Sequence, residues 1–184
     1  MTGEGAVTVE TPDGKAAAEA EEAFRLVYAD AFAGPPYNET EEDVARAFRR
    51  FRSQTRKSGF RAALARTGSG EPVGMAYGYP LASNTGWWDQ LTEPVPVDMR
   101  HEDGRRTFGL MELAVRAPWR GQGIARRLHV TLLDGVQAER VLLNVHPESK
   151  AASAAYRAWG YRNVGQARPW EGAELHDVML LDLG

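Results

Sequence analysis

The most constraining feature of this chain is a strand that feeds a glycine-rich turn and then a helix. The segment RTFGLMELAV (106–115) is the most strand-like in the sequence, and RGQG (120–123) follows it at once. Beyond the turn, Ile124, Leu128, Leu132 and Val136 step by four, the spacing of one buried helix face. The first N–H groups of a helix have no intrahelical acceptor, and the helix dipole is positive there. Gly121 and Gly123 carry no Cβ, so backbone at this turn can come close to an anion. No Lys-Ser/Thr follows, so this is not a Walker loop, nor does it match the GxGxxG dinucleotide fingerprint. Taken alone, a plain structural turn is at least as good a reading.

The rest of the chain supplies a mixed sheet with helices on it. VTVE (7–10) reads as a short opening strand. Phe24, Val27, Tyr28 and Ala31 predict one amphipathic helix over 16–33, stopped by Gly-Pro-Pro. Thr40 is placed to cap a second helix, with Glu41, Glu42 and Asp43 in its first turn and Val44, Ala47, Phe48 and Phe51 as its buried face. The segments 60–66 and 72–80 flank TGSGE as an antiparallel hairpin. A long irregular stretch, 81–106, follows; such loops are usually functional or mobile. RVLLNVH (140–146) is apolar on both faces, as expected of a central strand. SKAASAAYRAW (149–159) reads as a helix with Ser149 as N-cap and Gly160 just past its end. Strands at 161–168 and 175–183 close the chain.

At 184 residues, with 43% hydrophobic and 26% charged residues, one soluble domain over 1–184 is expected. The net charge of −3 disfavours nucleic acid as a partner. No apolar run approaches the roughly 20 residues that cross a bilayer, so no membrane partner is expected. The N-terminus has neither a basic nor an apolar signal region, which makes the cytoplasm the simplest location. The chain has no cysteine, so disulfides, thiolate metal sites and cysteine nucleophiles are absent. The four histidines are scattered and no metal is expected.

ELAV and RGQGIA (112–125), followed by LNVHPESKAASAAYRAWGY (143–161), resemble the GNAT superfamily of acyl-CoA-dependent N-acetyltransferases. The Arg/Gln-x-x-Gly-x-Gly/Ala signature stands here as Arg120, Gly123 and Ala125. The later Ala-x-x-x-Tyr…Gly-Tyr/Phe run stands as Ala152, Tyr156, Gly160 and Tyr161. The resemblance covers the second half of the chain well, and the first half only in its order of elements. It implies a mostly antiparallel central sheet of about six or seven strands with a splayed parallel pair, flanked by about four helices. It also implies an acyl-CoA co-substrate, acetyl-CoA first, with its pyrophosphate on the backbone of Gln122, Gly123, Ile124 and Ala125. Pantetheine is then expected along Leu113, Ala114 and Val115, with Arg120, Gly121, Ser149 and Ala152 completing the cofactor set. The family usually has Asn where this chain has Ser149.

The resemblance makes Tyr156 the general acid that protonates the departing thiolate; the structural alternative is a core tyrosine sharing a helix face with Ala152 and Trp159. Glu112, a carboxylate inside an otherwise apolar strand, is the first choice of base, with a salt bridge or plain exposure as its alternative. His146 is the competing base, or else a structural residue at a strand end. The acceptor is expected to be a primary amine of a small molecule or a peptide, taken by FAGPPYNETEED and SNTGWWDQLTEPVP. Tyr37, Trp87 and Trp88 are candidate walls, and Asp89, Glu93, Glu102 and Asp103 are candidate attractors of an amine. The expected function is N-acyl transfer by a monomer or homodimer, with direct attack in a ternary complex. A non-catalytic acyl-CoA sensor is the alternative, and an interaction domain with an unrelated basic turn is a third.

Overall fold

The computed structural model describes residues 6–184. In chain order the elements are β1 (Thr8–Glu10), α1 (Gly14–Glu19), α2 (Glu21–Ala31), α3 (Glu41–Gln54), β2 (Arg61–Arg66) and β3 (Pro72–Pro80). Then come α4 (Val97–Arg100), β4 (Thr107–Val115), α5 (Ile124–Leu133), β5 (Arg140–Val145), α6 (Lys150–Ala158), β6 (Arg162–Ala167) and β7 (His176–Asp182). Single 3-10 turns stand at Trp87–Gln90 and Ala117–Trp119. The sheet has seven strands in the order β1-β2-β3-β4-β5-β7-β6. β4 and β5 are parallel, in register over Thr107–Gly109 against Arg140–Leu142. β1 with β2, β2 with β3, β5 with β7 and β6 with β7 are antiparallel. This is a mixed sheet, as the order of elements predicts, with a parallel pair, as the family resemblance implies.

Two helical expectations change. The helix over 16–33 is two helices, because Ala20 leaves helical geometry (φ −95°, ψ 18°) and serves as C-cap of α1 and N-cap of α2. Val136 lies beyond α5, which stops at Leu133. The first turn of α3 forms as expected: Thr40 Oγ1 accepts from the Asp43 N–H at 3.2 Å, and Asp43 Oδ2 accepts from the Thr40 N–H at 2.9 Å. That reciprocal pair satisfies two backbone donors that the helix itself leaves unpaired.

The chain divides into two compact units. One comprises the residues up to Tyr79 together with Met111–Gly135; the other comprises Pro80–Leu110 and Val136–Gly184. In the first, the amphipathic faces of α2 and α3 meet through Phe24, Phe48 and Phe51, all at most 1% exposed, over Leu64, Met75 and Tyr77 of β2 and β3. Phe51 meets Phe24 at 5.2 Å and Tyr77 edge-on at 5.1 Å between ring centroids. Each buried ring of this kind contributes about 1.5–3 kcal/mol. α5 lies close on β3: a Cβ on Gly74 would fall 2.9 Å from Leu128 Cδ1 and 3.2 Å from Ile124 Cγ2. That contact seats the start of α5.

In the second unit β5 is buried on both faces through Val141, Leu142 and Leu143, and beside it in the sheet Val178, Met179 and Leu180 of β7 are buried as well. The long 81–106 segment is ordered by a buried polar network. Glu102 Oε2 accepts from Trp88 Nε1 (2.8 Å), Thr107 Oγ1 (2.9 Å) and Arg140 Nη2 (3.1 Å). Arg140 also donates to Thr107 Oγ1 (2.9 Å) and the Met99 carbonyl (2.6 Å), and its guanidinium lies over the Trp88 ring. The segment, expected to be functional or mobile, is thus pinned by buried side chains.

Candidate active site

The glycine turn is built and braced within the first unit. Gly121 (φ 77°) and Gly123 (φ 80°) both adopt left-handed backbone, which β-carbon sterics disfavour in other residues. A Cβ added at either would meet no atom within 4 Å, so the space in front of the turn is open. Gly123 is the N-cap of α5, and no side chain caps this helix start. The contrast with α3 is informative. α3 begins with three acids, whereas α5 has none in its first turn and carries Arg126 and Arg127 close behind. Uncapped N–H donors, a positive dipole end and no acidic neighbour in the first turn fit a pyrophosphate. Ile124 turns its side chain into the core, and Gln122 is exposed.

The arginines before the turn are structural rather than loose positive charge. Arg120 donates to the carbonyls of Val115 (Nε, 3.0 Å) and Ala31 (Nη2, 3.1 Å), tying the turn to the end of β4 and to α2. Arg116 Nη1 pairs with Glu71 at 3.0 Å, its Nε lies 3.5 Å from Asp30, and its guanidinium stacks on Trp119. Asp30 also accepts from the Ala117 N–H at 3.2 Å. Arg120, expected among the cofactor contacts, braces the glycine turn through these two carbonyls. Ala114 and Val115 are buried and Leu113 is half-buried on the strand that leads there.

Glu112 sits on β4 three residues before that end. The residue is half-buried, and among the described residues no hydrogen bond or ion pair to its carboxyl is observed. Burial pushes its pKa up from 4.5 to about 8; the Glu39 charge adds to the rise and Arg50 opposes it. Tyr28 and Tyr77 feel the Glu112 charge in turn, and burial holds both phenols well above their ordinary range. The Tyr28 hydroxyl donates to Glu39 Oε1 at 2.8 Å, while Glu39 Oε2 is buried with no hydrogen-bond partner. Tyr37 packs edge-on against Phe32 at 4.7 Å, and Phe32 against Tyr28 at 4.6 Å. Glu112, Tyr28, Glu39 and Tyr37 all belong to the first unit.

In the second unit Tyr156 is buried on α6, edge-on to Tyr161 (5.4 Å) and Trp159 (5.6 Å). The helix ends just beyond it: the Tyr161 N–H donates to the Tyr156 carbonyl (3.0 Å), and that of Gly160 to Arg157 (3.1 Å). With Gly160 at φ 104°, this is a Schellman closure, as its position predicts. Ser149 occupies the N-cap position of α6, but its side chain makes no capping bond, which corrects the expectation that it caps. Its φ and ψ (−81°, 73°) are not those of a usual N-cap, and its N–H turns back to the His146 carbonyl at 2.9 Å. Ala152 is half-buried one turn before Tyr156.

His146 has both ring nitrogens engaged. Nδ1 accepts from the Glu148 N–H at 3.1 Å, and Nε2 faces the Glu174 carboxylate, which holds the proton on Nε2 when the ring is neutral. That arrangement suits a strand-end lock better than a base. Trp88, expected in an acceptor wall, is buried in the network with Glu102 and Arg140. Trp87 is half-buried beside it with its indole nitrogen enclosed and unbonded. Of the acids expected to attract an amine, Glu102 is inside that network, Asp103 accepts from the N–H groups of Arg105 and Arg106, and Asp89 pairs with Arg100. Glu93 is exposed. Sequence reasoning singled out neither Glu39 nor Tyr28 as site residues, since one stands just before the three acids that open α3 and the other reads as helix core.

Among the described residues, no group of three or more His, Asp or Glu side chains is placed to hold a metal ion, and no helix is long and apolar enough to cross a membrane. Comparison with solved structures finds the same fold along nearly the whole chain. PH1933 from Pyrococcus horikoshii OT3 superposes with a TM-score of 0.69 at 19% identity, covering 97% of this chain and 99% of that one. The structure of yncA from Salmonella typhimurium with its cofactor acetyl-CoA gives 0.66 at 15% identity, covering 97% and 95%. The ribosomal-protein-S18-alanine N-acetyltransferase from Escherichia coli gives 0.62 at 17% identity, covering 97% and 95%. At these identities the likeness is one of fold. No curated protein matches the chain in sequence. The model of the acetyltransferase (GNAT) family matches residues 21–161, and the chain belongs to that family.

Proposed function

We propose that this acetyltransferase moves an acetyl group from acetyl-CoA to a primary amine by direct attack. The observation that carries the reading is Glu112: a half-buried carboxyl, its pKa pushed up by burial to about 8, on the strand that leads into the open glycine turn. An alkylamine has a pKa near 10 and arrives as its ammonium. Passing that proton to an ordinary carboxylate is uphill by about 6 pK units, or roughly 8 kcal/mol. Passing it to Glu112 is uphill by about 2 units, or roughly 3 kcal/mol. Burial thus makes a carboxylate usable as a base for an amine.

The thioester supplies an acyl carbon with a good leaving group. Glu112 first takes the ammonium's proton. The freed amine nitrogen then forms the new C–N bond as the C–S bond breaks, and Tyr156 gives its phenolic proton to the leaving sulfur. The second nitrogen proton, shed as the amide forms, passes to water, from which the Tyr156 phenolate is reprotonated. The assignment of Tyr156 rests on the family motif that Ala152, Tyr156, Gly160 and Tyr161 match. The backbone of Gln122–Ala125 holds the pyrophosphate, with Arg120 keeping the turn in place. Without cysteine the chain has no acyl-cysteine route.

The test is thiol release from acetyl-CoA across a panel of primary amines, read with a thiol-reactive dye. Wild type is expected to turn over at least one amine, with Glu112→Gln at least about 100-fold slower at pH 8. Equal rates for the two proteins would remove Glu112 from the chemistry.

A further inference from the structure

The segment between α2 and α3 carries a carboxylate whose bonding is half complete. Glu39 Oε1 accepts from Tyr28, but Oε2 is buried and unbonded. Burial raises the Glu39 pKa, and folded proteins rarely leave a carboxyl oxygen enclosed and unpaired without a reason. The segment is shaped to keep it there. Asn38 takes left-handed backbone (φ 47°), and the Glu39 N–H returns to the Phe32 carbonyl at 2.9 Å. The charged groups around Glu39 are Asp43, Arg46 and Arg50 of α3 and Glu112 of β4. None of the three on α3 neutralises it. Arg46 pairs with Glu42 and Asp43, Asp43 is itself an acid, and Arg50 is exposed. Two further observations describe what would sit nearby. Phe32 and Tyr37 are half-buried and stacked edge-on, offering an apolar, aromatic surface on the same segment. Glu112 and Glu39 also share one environment, since each acts electrostatically on Tyr28.

We propose that Glu39 is the acceptor-specificity residue of this enzyme: its unpaired Oε2 receives an N–H of the incoming ammonium, while Phe32 and Tyr37 take an apolar or aromatic body attached to it. This rests on the reading of Glu112 as the base and deepens it, because one cation then faces both carboxylates. Tyr28 is the positioning residue that holds Glu39 by its other oxygen. The acceptor class is a cationic primary amine on an apolar frame. A neutral molecule of the same shape leaves Oε2 unpaired and is rejected.

The test titrates the full chain with benzylamine, and with benzyl alcohol as its neutral counterpart, in wild type, Glu39→Gln and Glu39→Asp. Acetyl-CoA is titrated into the same samples. Benzylamine is expected to bind wild type at least tenfold more tightly than the alcohol. Glu39→Gln should lose that preference, Glu39→Asp should restore part of it, and acetyl-CoA affinity should stay within about twofold throughout. Glu39→Gln that binds benzylamine as wild type does, or wild type that does not distinguish amine from alcohol or binds neither, overturns the subsite. Loss of acetyl-CoA binding by wild type would instead count against acetyl transfer, and the amine titration would still decide on Glu39.

Discussion

Arg140 and Glu102 form an ion pair at 3.1 Å whose side chains are only 5% and 2% exposed. They come from the parallel strand β5 and from the segment before β4, and they anchor Trp88 and the Met99 carbonyl as well. Each partner makes the burial of the other tolerable, so the pair behaves as a unit. Removing one side alone, as in Glu102→Gln or Arg140→Met, should cost about 3–5 kcal/mol in denaturant unfolding. The double substitution should cost less than the sum of the two singles. Additive losses would mean the two side chains are stabilised independently.

Glu112 links activity to pH. In wild type kcat/KM should rise about tenfold per pH unit up to about 8 and then level, as the free enzyme's carboxylate forms. Stability should run the other way. The folded state binds the Glu112 proton more tightly than the unfolded chain does, so this contribution is full below about 4.5 and is lost as pH rises towards about 8. Glu112→Gln, which cannot ionise, should therefore show a higher Tm than wild type at pH 8 and a smaller difference at pH 5. A variant less stable than wild type at pH 8 would contradict an unpaired carboxyl whose pKa burial raises.

Much of this arrangement is legible locally. The strand, turn and helix at 106–133, the cap at Thr40 and the two-faced burial of β5 each depend on periodicity or on residues a few positions apart. What escaped depends on partners far along the chain. Trp88 reads as a pocket wall because nothing near it announces Glu102 and Arg140, respectively 14 and 38 positions from their partners in the network. Glu39 meets Tyr28 across 11 positions, and in sequence it looks like the three acids at 41–43 that merely open α3. Ser149 has the right residue type for a cap, but backbone angles decide whether its hydroxyl reaches an N–H. Ala20 gives no sequence signal for a break at all, since alanine is the best of helix formers.

Tyr156 is tested by removing one oxygen. Tyr156→Phe keeps the ring that packs on Tyr161 and Trp159, so folding and acetyl-CoA affinity should hardly change. The turnover number should fall about 100-fold or more if the phenol protonates the leaving sulfur. Unchanged turnover would reduce Tyr156 to a core residue.

The central claim is that the turn at 121–125 holds the coenzyme pyrophosphate, and calorimetric titration with acetyl-CoA addresses it most directly. Wild type should bind, and Gly123→Glu, which adds a side chain, a negative charge and backbone strain at φ 80°, should bind at least 100-fold more weakly while remaining folded. Equal affinity for the two proteins, or no binding by folded wild type, would contradict the account.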